Sequence, residues 1–305
     1  MASKPCLHGA MTALVTPFTD DATNIDFDAF EHLVARQLEG EAGRTDCVRA
    51  LVPCGTTGES PSLTEEEKLE LVRRTVQVAG GRATVIAGTG SNCTRQTMHL
   101  SQVALRAGAD ALMLVMPYYN RPSQQGLAEH VIAVARCVDG APIVLYNVPS
   151  RCSVDLANDT LERILENAPN VVALKDATGN VLRCQQIVAR FGERITVLCG
   201  DDALTLPMML LGAKGVISVT SNVYPHAVAR VCEAALAGDW EEARRAHFSL
   251  LGVHEAMFVE PNPGPVKAAL AYKKLVRLAL RLPMTTPSPQ AVSRVVEVMQ
   301  RYEGG

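Results

Sequence analysis

The chain has 305 residues, of which 48% are hydrophobic and 20% are charged, and its formal net charge is −3. This length suits one (β/α)8 barrel with an addition, or two domains, and the interspersed acidic and basic residues argue against a nucleic-acid or membrane partner. The longest apolar run, residues 111–116, falls well short of the roughly 20 residues that span a membrane.

Apolar runs of strand length recur along the chain, and several lack polar alternation, as strands covered on both faces do. The predicted strands are residues 10–16, 48–54, 84–88, 111–116, 143–147, 171–175, 196–200 and 215–219. Segments with helical periodicity separate them. The predicted helices are residues 26–39, a helix that begins at Thr64 with a capping box to Glu67, and residues 94–107, 123–137, 155–166, 180–191, 203–211 and 224–237.

Eight strands that alternate with eight helices predict an α/β fold, the (β/α)8 or TIM barrel. The alternative α/β fold is a doubly wound parallel sheet. The dinucleotide-binding motif typical of that fold is absent, because no third glycine follows Gly88-Thr89-Gly90 at the required spacing. We therefore predict a barrel catalytic domain at residues 1–237, with its active site at the carboxyl ends of the strands.

The pattern changes after the barrel, where three helices follow one another without strands. They are predicted at residues 239–254, 265–280 and 289–302, and proline-rich segments at 260–265 and 283–289 separate them. These residues, 238–305, form a predicted C-terminal helical domain. Such an appendage packs against the barrel or against a neighbouring subunit.

The nine cysteines form no CxxC pair and no regular framework, which favours free thiols in a reducing cytoplasm. The seven histidines are scattered, without the spacing of a metal site, so we predict no metal. Three thiols adjoin the motifs described next and are interpreted as small buried fillers: Cys54, Cys152 and Cys199.

Lys175 ends the predicted strand 171–175 and is the first candidate for chemistry. A lysine amine in water-poor surroundings loses affinity for its proton and can then attack a carbonyl to form a Schiff base. The other lysines lie in the tail, on helices, at the opposite strand end or in the appendage: Lys4, Lys68, Lys214, Lys267, Lys273 and Lys274. Of these, only Lys267, after the proline-rich segment 260–265, is kept as a second candidate.

Proton transfer around such an amine needs a hydroxyl relay. Tyr146 ends the preceding strand, and Thr56 or Thr57 together with Tyr119 could continue the relay. The alternative for Tyr146 is a packed aromatic ring whose hydroxyl binds the backbone.

Two further elements suit carboxylates. The turn 55–58, with sequence Gly-Thr-Thr-Gly, offers free amides and hydroxyls to an anion, and Arg151 can bind a second carboxylate through two N–H groups. The alternatives are a simple strand-to-helix turn and a surface arginine.

Six motifs in this order resemble the 4-hydroxy-tetrahydrodipicolinate synthase (dihydrodipicolinate synthase) family, within the class I aldolase and N-acetylneuraminate lyase superfamily. They are Gly55-Thr56-Thr57-Gly58-Glu59-Ser60, Tyr118-Tyr119-Asn120-Arg121-Pro122, Tyr146-Asn147-Val148-Pro149-Ser150-Arg151, Lys175-Asp176-Ala177-Thr178-Gly179, Gly200-Asp201-Asp202 and Gly215-Val216-Ile217-Ser218-Val219. The resemblance extends from about Gly9 to beyond Leu282.

The resemblance implies a lyase of the diaminopimelate and lysine pathway, a homotetramer built as a dimer of dimers, without metal or organic cofactor. Pyruvate would form a Schiff base with Lys175 and, as its enamine, attack L-aspartate-4-semialdehyde. The implied proton relay is Tyr146, Thr56 and Tyr119, the last from a neighbouring subunit. The implied substrate contacts are Thr57 and Ile217 to pyruvate, Arg151 to the carboxylate of the semialdehyde, and Gly200 at the pocket wall.

Two alternatives stay open. N-acetylneuraminate lyase and the 2-keto-3-deoxy sugar-acid aldolases share the lysine, the tyrosine and the glycine-rich turn, although Thr56 and Arg151 favour the synthase. A catalytically silent barrel that only binds a keto acid is the non-enzyme alternative, which the combined lysine, tyrosine, threonine and arginine argue against.

Two departures from the family pattern stand out. The segment 39–47 is longer than the usual first helix-to-strand turn, on the non-catalytic side. The second departure concerns the site at which some members bind lysine as a feedback inhibitor. Ser60, Asn92 and Tyr118 match that site, and the positions that do not match are Pro61, Glu65, Lys68 and Gln96. The last three replace two histidines and a glutamate, so we predict little inhibition by lysine.

Overall fold

The computed structural model describes residues 5–39 and 47–304, and their strands close into a parallel barrel in the order β1 to β8. The strands are β1 (Gly9–Ala13), β2 (Ala50–Val52), β3 (Thr84–Gly88), β4 (Ala111–Val115), β5 (Ile143–Asn147), β6 (Val171–Asp176), β7 (Thr196–Cys199) and β8 (Gly215–Ser218). β1 pairs with both β2 and β8, which closes the sheet. The predicted TIM barrel is confirmed.

The helices surround the barrel and then continue beyond it. They are α1 (Phe27–Leu38), α2 (Glu65–Ala79), α3 (Thr94–Arg106), α4 (Gln124–Cys137), α5 (Pro149–Cys152), α6 (Asn158–Asn167), α7 (Val181–Phe191), α8 (Thr205–Leu210), α9 (Pro225–Leu236), α10 (Trp240–Ala256), α11 (Gly264–Tyr272) and α12 (Pro289–Gly304). The last three form the predicted appendage, in which α12 packs against α10 and α11, while α10 packs against α9 of the barrel. The domain boundary at residues 237 and 238 stays a prediction.

The strands owe their apolar composition to burial on both faces. Every residue of β1, β5 and β8 is buried, between the barrel interior and the helix layer. Each large apolar side chain buried in this way contributes about 1.5–3 kcal/mol. The few polar residues on these strands are therefore costly, and those at the carboxyl ends of β5 and β6 belong to the candidate site.

The predicted capping box at the start of α2 is present. The Glu67 amide donates to Thr64 Oγ1 at 3.2 Å, and the Thr64 amide donates to Glu67 Oε2 at 2.9 Å. Two backbone donors that the helix leaves unpaired are thereby satisfied. The same helix presents Lys68 on its next turn.

The largest departures from the predicted helices are α5, which was not predicted, and α11, which is shorter than predicted. The four residues of α5, which carry Arg151, are too few to give a helical period in the sequence. The helix predicted at 265–280 ends at Tyr272, because Lys274 adopts a left-handed conformation with a φ of 59°. The chain then turns back, so that the Arg281 amide donates to Glu59 of the barrel at 3.1 Å.

Most of the long segment 39–47, namely residues 40–46, lies outside the described residues. Within the part of the chain that the structure describes, no helix is long and apolar enough to cross a membrane. Each of the nine cysteines is a free thiol.

His130 on α4 gives the protein an acid-sensitive position. Its side chain is buried, its Nδ1 lies 3.0 Å from Thr94 Oγ1, and its Nε2 has no hydrogen-bond partner among the described residues. Burial lowers the pKa of His130 from 6.5 to about 4. The unfolded chain therefore binds the extra proton first, and the free energy of unfolding falls as the pH falls from about 6.5 to 4.

We expect His130 to account for a loss of roughly 3 kcal/mol over this pH range. The variant His130→Asn, which cannot titrate, is expected to lose correspondingly less stability between pH 7 and 4 in urea unfolding. Equal slopes for His130→Asn and wild type contradict this assignment.

Candidate active site

Lys175 and Tyr146 meet at the carboxyl ends of adjacent strands. The register of β5 and β6 pairs Tyr146 with Lys175, and each side chain is only 5% exposed. The Lys175 Nζ atom lies 4.1 Å from the centroid of the Tyr146 ring. The apolar run before Lys175 buries the strand, and the parallel pairing then places the two functional groups side by side.

The amine of Lys175 has no hydrogen bond or ion pair with any described residue. The neighbouring carboxylate of Asp176 is bound to other groups. Its Oδ2 accepts from Arg183 Nε at 2.8 Å, and its Oδ1 accepts from the Thr178 amide at 2.9 Å. The Thr178 hydroxyl donates to the same Oδ1 at 2.5 Å. A buried amine without a carboxylate partner suits nucleophilic attack on a carbonyl, because no ion pair must be broken first.

Lys267, the second candidate from the sequence, is held in a different environment. It is fully buried, forms an ion pair with Glu59, and donates to the Ala279 carbonyl at 2.8 Å. Its Nζ lies 4.2 Å from the centroid of the Phe18 ring. Burial lowers the pKa of Lys267 to about 8, but the ion pair ties this amine, which α11 of the appendage carries, to Glu59 of the barrel. This arrangement suits a structural lysine rather than a nucleophile.

A cavity of about 590 Å³ opens at the barrel mouth next to this pair. Four of the eight predicted site residues contribute to its wall: Thr56, Tyr119, Tyr146 and Arg151. The other four do not appear in the wall: Lys175, Thr57, Gly200 and Ile217. Lys175 reaches the wall through Tyr146, which it contacts directly.

The turn 55–58, which the sequence predicts to bind an anion, carries backbone amides that the rest of the described chain leaves unpaired. The backbone amides of Thr56 and Thr57 form no hydrogen bond with any described residue. A side chain at Gly58 would place its Cβ 3.0 Å from the Leu14 carbonyl oxygen, a tight contact that glycine avoids. The turn therefore leaves two N–H groups available to a carboxylate.

Asn262 connects this turn to Arg151, a role that the sequence interpretation missed. Its Nδ2 donates to Thr57 Oγ1 at 3.1 Å, and its carbonyl oxygen accepts from Arg151 Nη2 at 3.4 Å. Asn262 is 5% exposed, and its Oδ1 has no hydrogen-bond partner among the described residues. The segment 260–265 was interpreted only as a linker. Its Asn-Pro turn signal was visible, but the contact to Thr57 was not.

The ends of β7 and β8 carry two further predicted site residues, Gly200 and Ile217. The Gly200 amide donates to the Asp176 carbonyl at 2.7 Å, and a Cβ at Gly200 would lie 2.6 Å from the Ala177 Cβ. Ile217 on β8 is 1% exposed. Asp202, for which the sequence predicted no role, links the end of β7 to the end of β8, because its Oδ2 accepts from the Val219 amide at 2.8 Å.

Tyr119 also contributes to the cavity wall but differs from the other predicted residues in its exposure. Its ring is 88% exposed, and its backbone is left-handed with a φ of 72°. The following Asn120 fixes the loop by donating from Nδ2 to the Asn92 carbonyl at 2.8 Å. An aromatic ring held out into solvent by a strained backbone is available to a second molecule.

The three thiols near the site are buried and poor nucleophiles. Burial raises the pKa of Cys54 to about 12 and that of Cys152 to about 11, and it raises the pKa of Cys199 well above its ordinary value. Because the thiolate is the reactive form, these cysteines act as packing residues, in agreement with the sequence interpretation.

Comparison with known proteins covers nearly the whole chain. The sequence model of the dihydrodipicolinate synthetase family matches residues 6–301. The chain is 55% identical over 297 residues to the 4-hydroxy-tetrahydrodipicolinate synthase of Sorangium cellulosum, with 97% of this chain and 96% of that relative covered.

Two solved structures are similar over the same extent. The dihydrodipicolinate synthase of Aquifex aeolicus is 43% identical and has a TM-score of 0.92, with 97% of this chain and 98% of that chain covered. The chloride-inhibited dihydrodipicolinate synthase of Acinetobacter baumannii, complexed with pyruvate, is 38% identical and has a TM-score of 0.93. In that comparison 98% of this chain and 99% of the other are covered. The similarity includes the barrel and the appended helices alike.

Proposed function

The chain belongs to the dihydrodipicolinate synthetase family, and we propose that Lys175 is the amine with which it condenses pyruvate and L-aspartate-4-semialdehyde. The reaction yields 4-hydroxy-tetrahydrodipicolinate, in diaminopimelate and lysine biosynthesis. The observation that supports the role of Lys175 is its placement: a buried amine without an ionic partner, 4.1 Å from the ring of Tyr146 at the barrel mouth.

The first half of the reaction activates pyruvate. The Lys175 amine attacks the ketone carbon, the resulting carbinolamine loses water, and an imine forms. Loss of a methyl proton then gives the enamine. Tyr146, Thr56 and Tyr119 are the proposed relay that carries these protons. All three contribute to the wall of the same cavity, and Tyr146 contacts Lys175.

The second half forms the carbon–carbon bond. The enamine carbon attacks the aldehyde carbon of the semialdehyde, and the aldehyde oxygen takes up a proton to become a hydroxyl. The amino group of the semialdehyde then attacks the imine carbon. This attack closes the ring of the product and releases the Lys175 amine. We propose that the backbone amides of the turn 55–58 and the side chain of Thr57 bind the pyruvate carboxylate, and that Ile217 contacts pyruvate. Arg151 is proposed to bind the carboxylate of the semialdehyde, and Gly200 is proposed to line the pocket.

The active assembly is proposed to be a homotetramer, a dimer of dimers, in a reducing cytoplasm. The exposed Tyr119 ring supports an assembly in which each chain lends this residue to a neighbour's site. Leu182 on α7 and Leu210 on α8, which are 61% and 64% exposed on packed helices, offer a second apolar contact. The nine free thiols agree with a reducing compartment.

The proposed reaction is tested by a coupled assay with pyruvate and L-aspartate-4-semialdehyde, run in parallel with N-acetylneuraminate and a 2-keto-3-deoxy sugar acid. Turnover of the semialdehyde, and not of the sugar acids, is the expected result. Turnover of a sugar acid alone would replace the condensation with a lyase reaction on the same lysine.

Tyr146→Phe removes the hydroxyl of the ring that packs against Lys175 and keeps the ring itself. We expect the kcat to fall about 10²-fold, the lower end of the range for general acid–base groups, because the other hydroxyls of the relay remain. Steady-state kinetics measures the loss, and urea unfolding checks that stability is kept. An unchanged kcat would remove Tyr146 from the relay.

Lysine is expected to inhibit this protein only weakly. Lys68 and Gln96 both contribute to the cavity wall, so a lysine ligand there would meet an ammonium and find no carboxylate. Activity measured over rising lysine concentrations is expected to stay near its initial value into the millimolar range. Strong inhibition at sub-millimolar lysine contradicts the prediction.

A further inference from the structure

The strand ends that carry Tyr146 and Lys175 carry a second pair of side chains on their outer face. Asn147 follows Tyr146, Asp176 follows Lys175, and the register of β5 and β6 pairs Asn147 with Asp176. Because successive side chains of a strand point to opposite faces, this outer pair faces the helix layer while the inner pair faces the barrel mouth. Asn147 is fully buried and Asp176 is 2% exposed. The proposed condensation gives neither of them a role.

Arg183 on α7 binds this outer face. Its Nε donates to Asp176 Oδ2 at 2.8 Å, and its Nη2 donates to the Leu156 carbonyl, in the segment between α5 and α6. Its Nη1 lies 3.8 Å from Asp155 Oδ1. The same segment is tied to β5, because Asn147 Oδ1 accepts from the Leu156 amide at 3.1 Å. Arg183 therefore joins α7 to the ends of β5 and β6.

The carboxylate of Asp176 has one cationic partner among the described residues, the guanidinium of Arg183. Titratable groups on the elements packed around this ion pair are Tyr146 on β5, Asp155 before α6, Cys184 on α7, Cys199 on β7 and Asp201 after β7.

These surrounding groups do not replace Arg183. Burial raises the pKa of both thiols, to about 11 for Cys184, so they are uncharged near neutral pH. Burial also raises the pKa of Asp201, whose carboxylate accepts from the Ala203 amide at 3.1 Å. The Asp155 side chain is 55% exposed, so water and salt screen its charge. Arg183 is therefore the group that balances the charge of Asp176.

We propose that Arg183 is a positioning residue of the condensation, which acts through Asp176 to keep the strand end behind Lys175 electrically neutral. This inference rests on the proposed role of Lys175 as the nucleophile. An unbalanced carboxylate at the adjacent position would favour the protonated ammonium of Lys175, which cannot attack a carbonyl. An unbalanced guanidinium would have the opposite effect. The ion pair on the outer face thus sets the pH at which the amine on the inner face becomes reactive.

The pH dependence of pyruvate trapping separates this charge effect from a merely structural one. The initial rate of labelling by pyruvate and cyanoborohydride is measured on the full chain over a series of pH values, and peptide mapping identifies the labelled lysine. The midpoint is the pH at which labelling of Lys175 reaches half its maximal rate. Arg183→Gln is expected to raise the midpoint by about half to one pH unit, because Asp176 keeps its charge without a partner. Asp176→Asn is expected to lower the midpoint by a similar amount, because Arg183 is then unbalanced.

Three further variants serve as controls. Arg183→Lys keeps the charge but not the planar set of donors, and it is expected to keep the midpoint close to the wild-type value. The double change Arg183→Gln with Asp176→Asn leaves two neutral groups and is expected to do the same. Arg190→Gln removes an arginine of the same helix that pairs with Asp159 and Glu162 near the surface, and it is expected to leave the midpoint unchanged.

Unchanged midpoints in Arg183→Gln and Asp176→Asn, or shifts in the same direction, would overturn the inference. If Arg183→Gln does not fold, Asp176→Asn and the double variant decide, because only Asp176→Asn should lower the midpoint. A wild-type protein that is not labelled on Lys175 would remove the proposed reaction and this inference with it. Labelling of wild type with unmoved midpoints in the variants would overturn this inference alone.

Discussion

Replacing Lys175 with arginine is expected to lower kcat at least about 10³-fold, because the guanidinium keeps a positive charge at the strand end but cannot attack a carbonyl. The same change is expected to abolish covalent trapping of pyruvate. The effect is large because every later step of the proposed reaction passes through the imine on this nitrogen. Steady-state kinetics with pyruvate and the semialdehyde, together with mass spectrometry of the trapped protein, measures both losses.

Lys214→Arg is the matched control, since it makes the same exchange at the opposite end of the barrel. It is expected to retain wild-type turnover and trapping. A Lys175→Arg protein that keeps turnover within about 10-fold of wild type would exclude Lys175 as the nucleophile and return attention to other amines.

The second large effect is on stability. Lys267→Met leaves the Glu59 carboxylate buried without its ammonium partner, with the Arg281 amide as a remaining donor at 3.1 Å. Removing one partner of a buried ion pair costs about 3–5 kcal/mol. We expect the free energy of unfolding in urea to fall by this amount.

Turnover is expected to fall in Lys267→Met as well. The pair joins α11 to the turn that precedes α2, and Asn262, which binds Thr57, lies just before α11. Loosening the appendage therefore loosens the proposed pyruvate-binding turn.

Two further variants test the cause of the instability. The double change Glu59→Leu with Lys267→Met removes both charges and is expected to recover most of the lost stability. Lys273→Met, which breaks the partly exposed pair with Glu303, is expected to cost less than about 1 kcal/mol. Equal losses for Lys267→Met and Lys273→Met would mean that burial does not determine the strength of these ion pairs.

The sequence alone was sufficient for the barrel and for the core of the proposed site. The strands β3 and β5 begin and end at the predicted residues, because their apolar runs are bounded by polar or small residues. The closeness of Tyr146 and Lys175 also follows from the sequence, since consecutive parallel strands in a barrel are neighbours and both residues end their strands.

The contacts between the appendage and the barrel could not be predicted in this way. Glu59 and Lys267 were both noted in the sequence, but they are 208 positions apart, and no local periodicity records that they form a pair. The bond from Asn262 to Thr57 spans 205 positions and is equally invisible. Without these contacts, Lys267 stayed a candidate nucleophile, and the proline-rich segment was interpreted only as a linker.

Trapping with pyruvate and borohydride tests the central claim most directly. Reduction of the imine leaves the mass of pyruvate, less one water and plus two hydrogens, on the lysine that formed it. Peptide mapping is expected to place this increment on Lys175, with Lys267 unmodified and Lys175→Arg unlabelled. An increment on Lys267, or no increment on the wild-type protein, would contradict the assignment of Lys175 as the Schiff-base lysine.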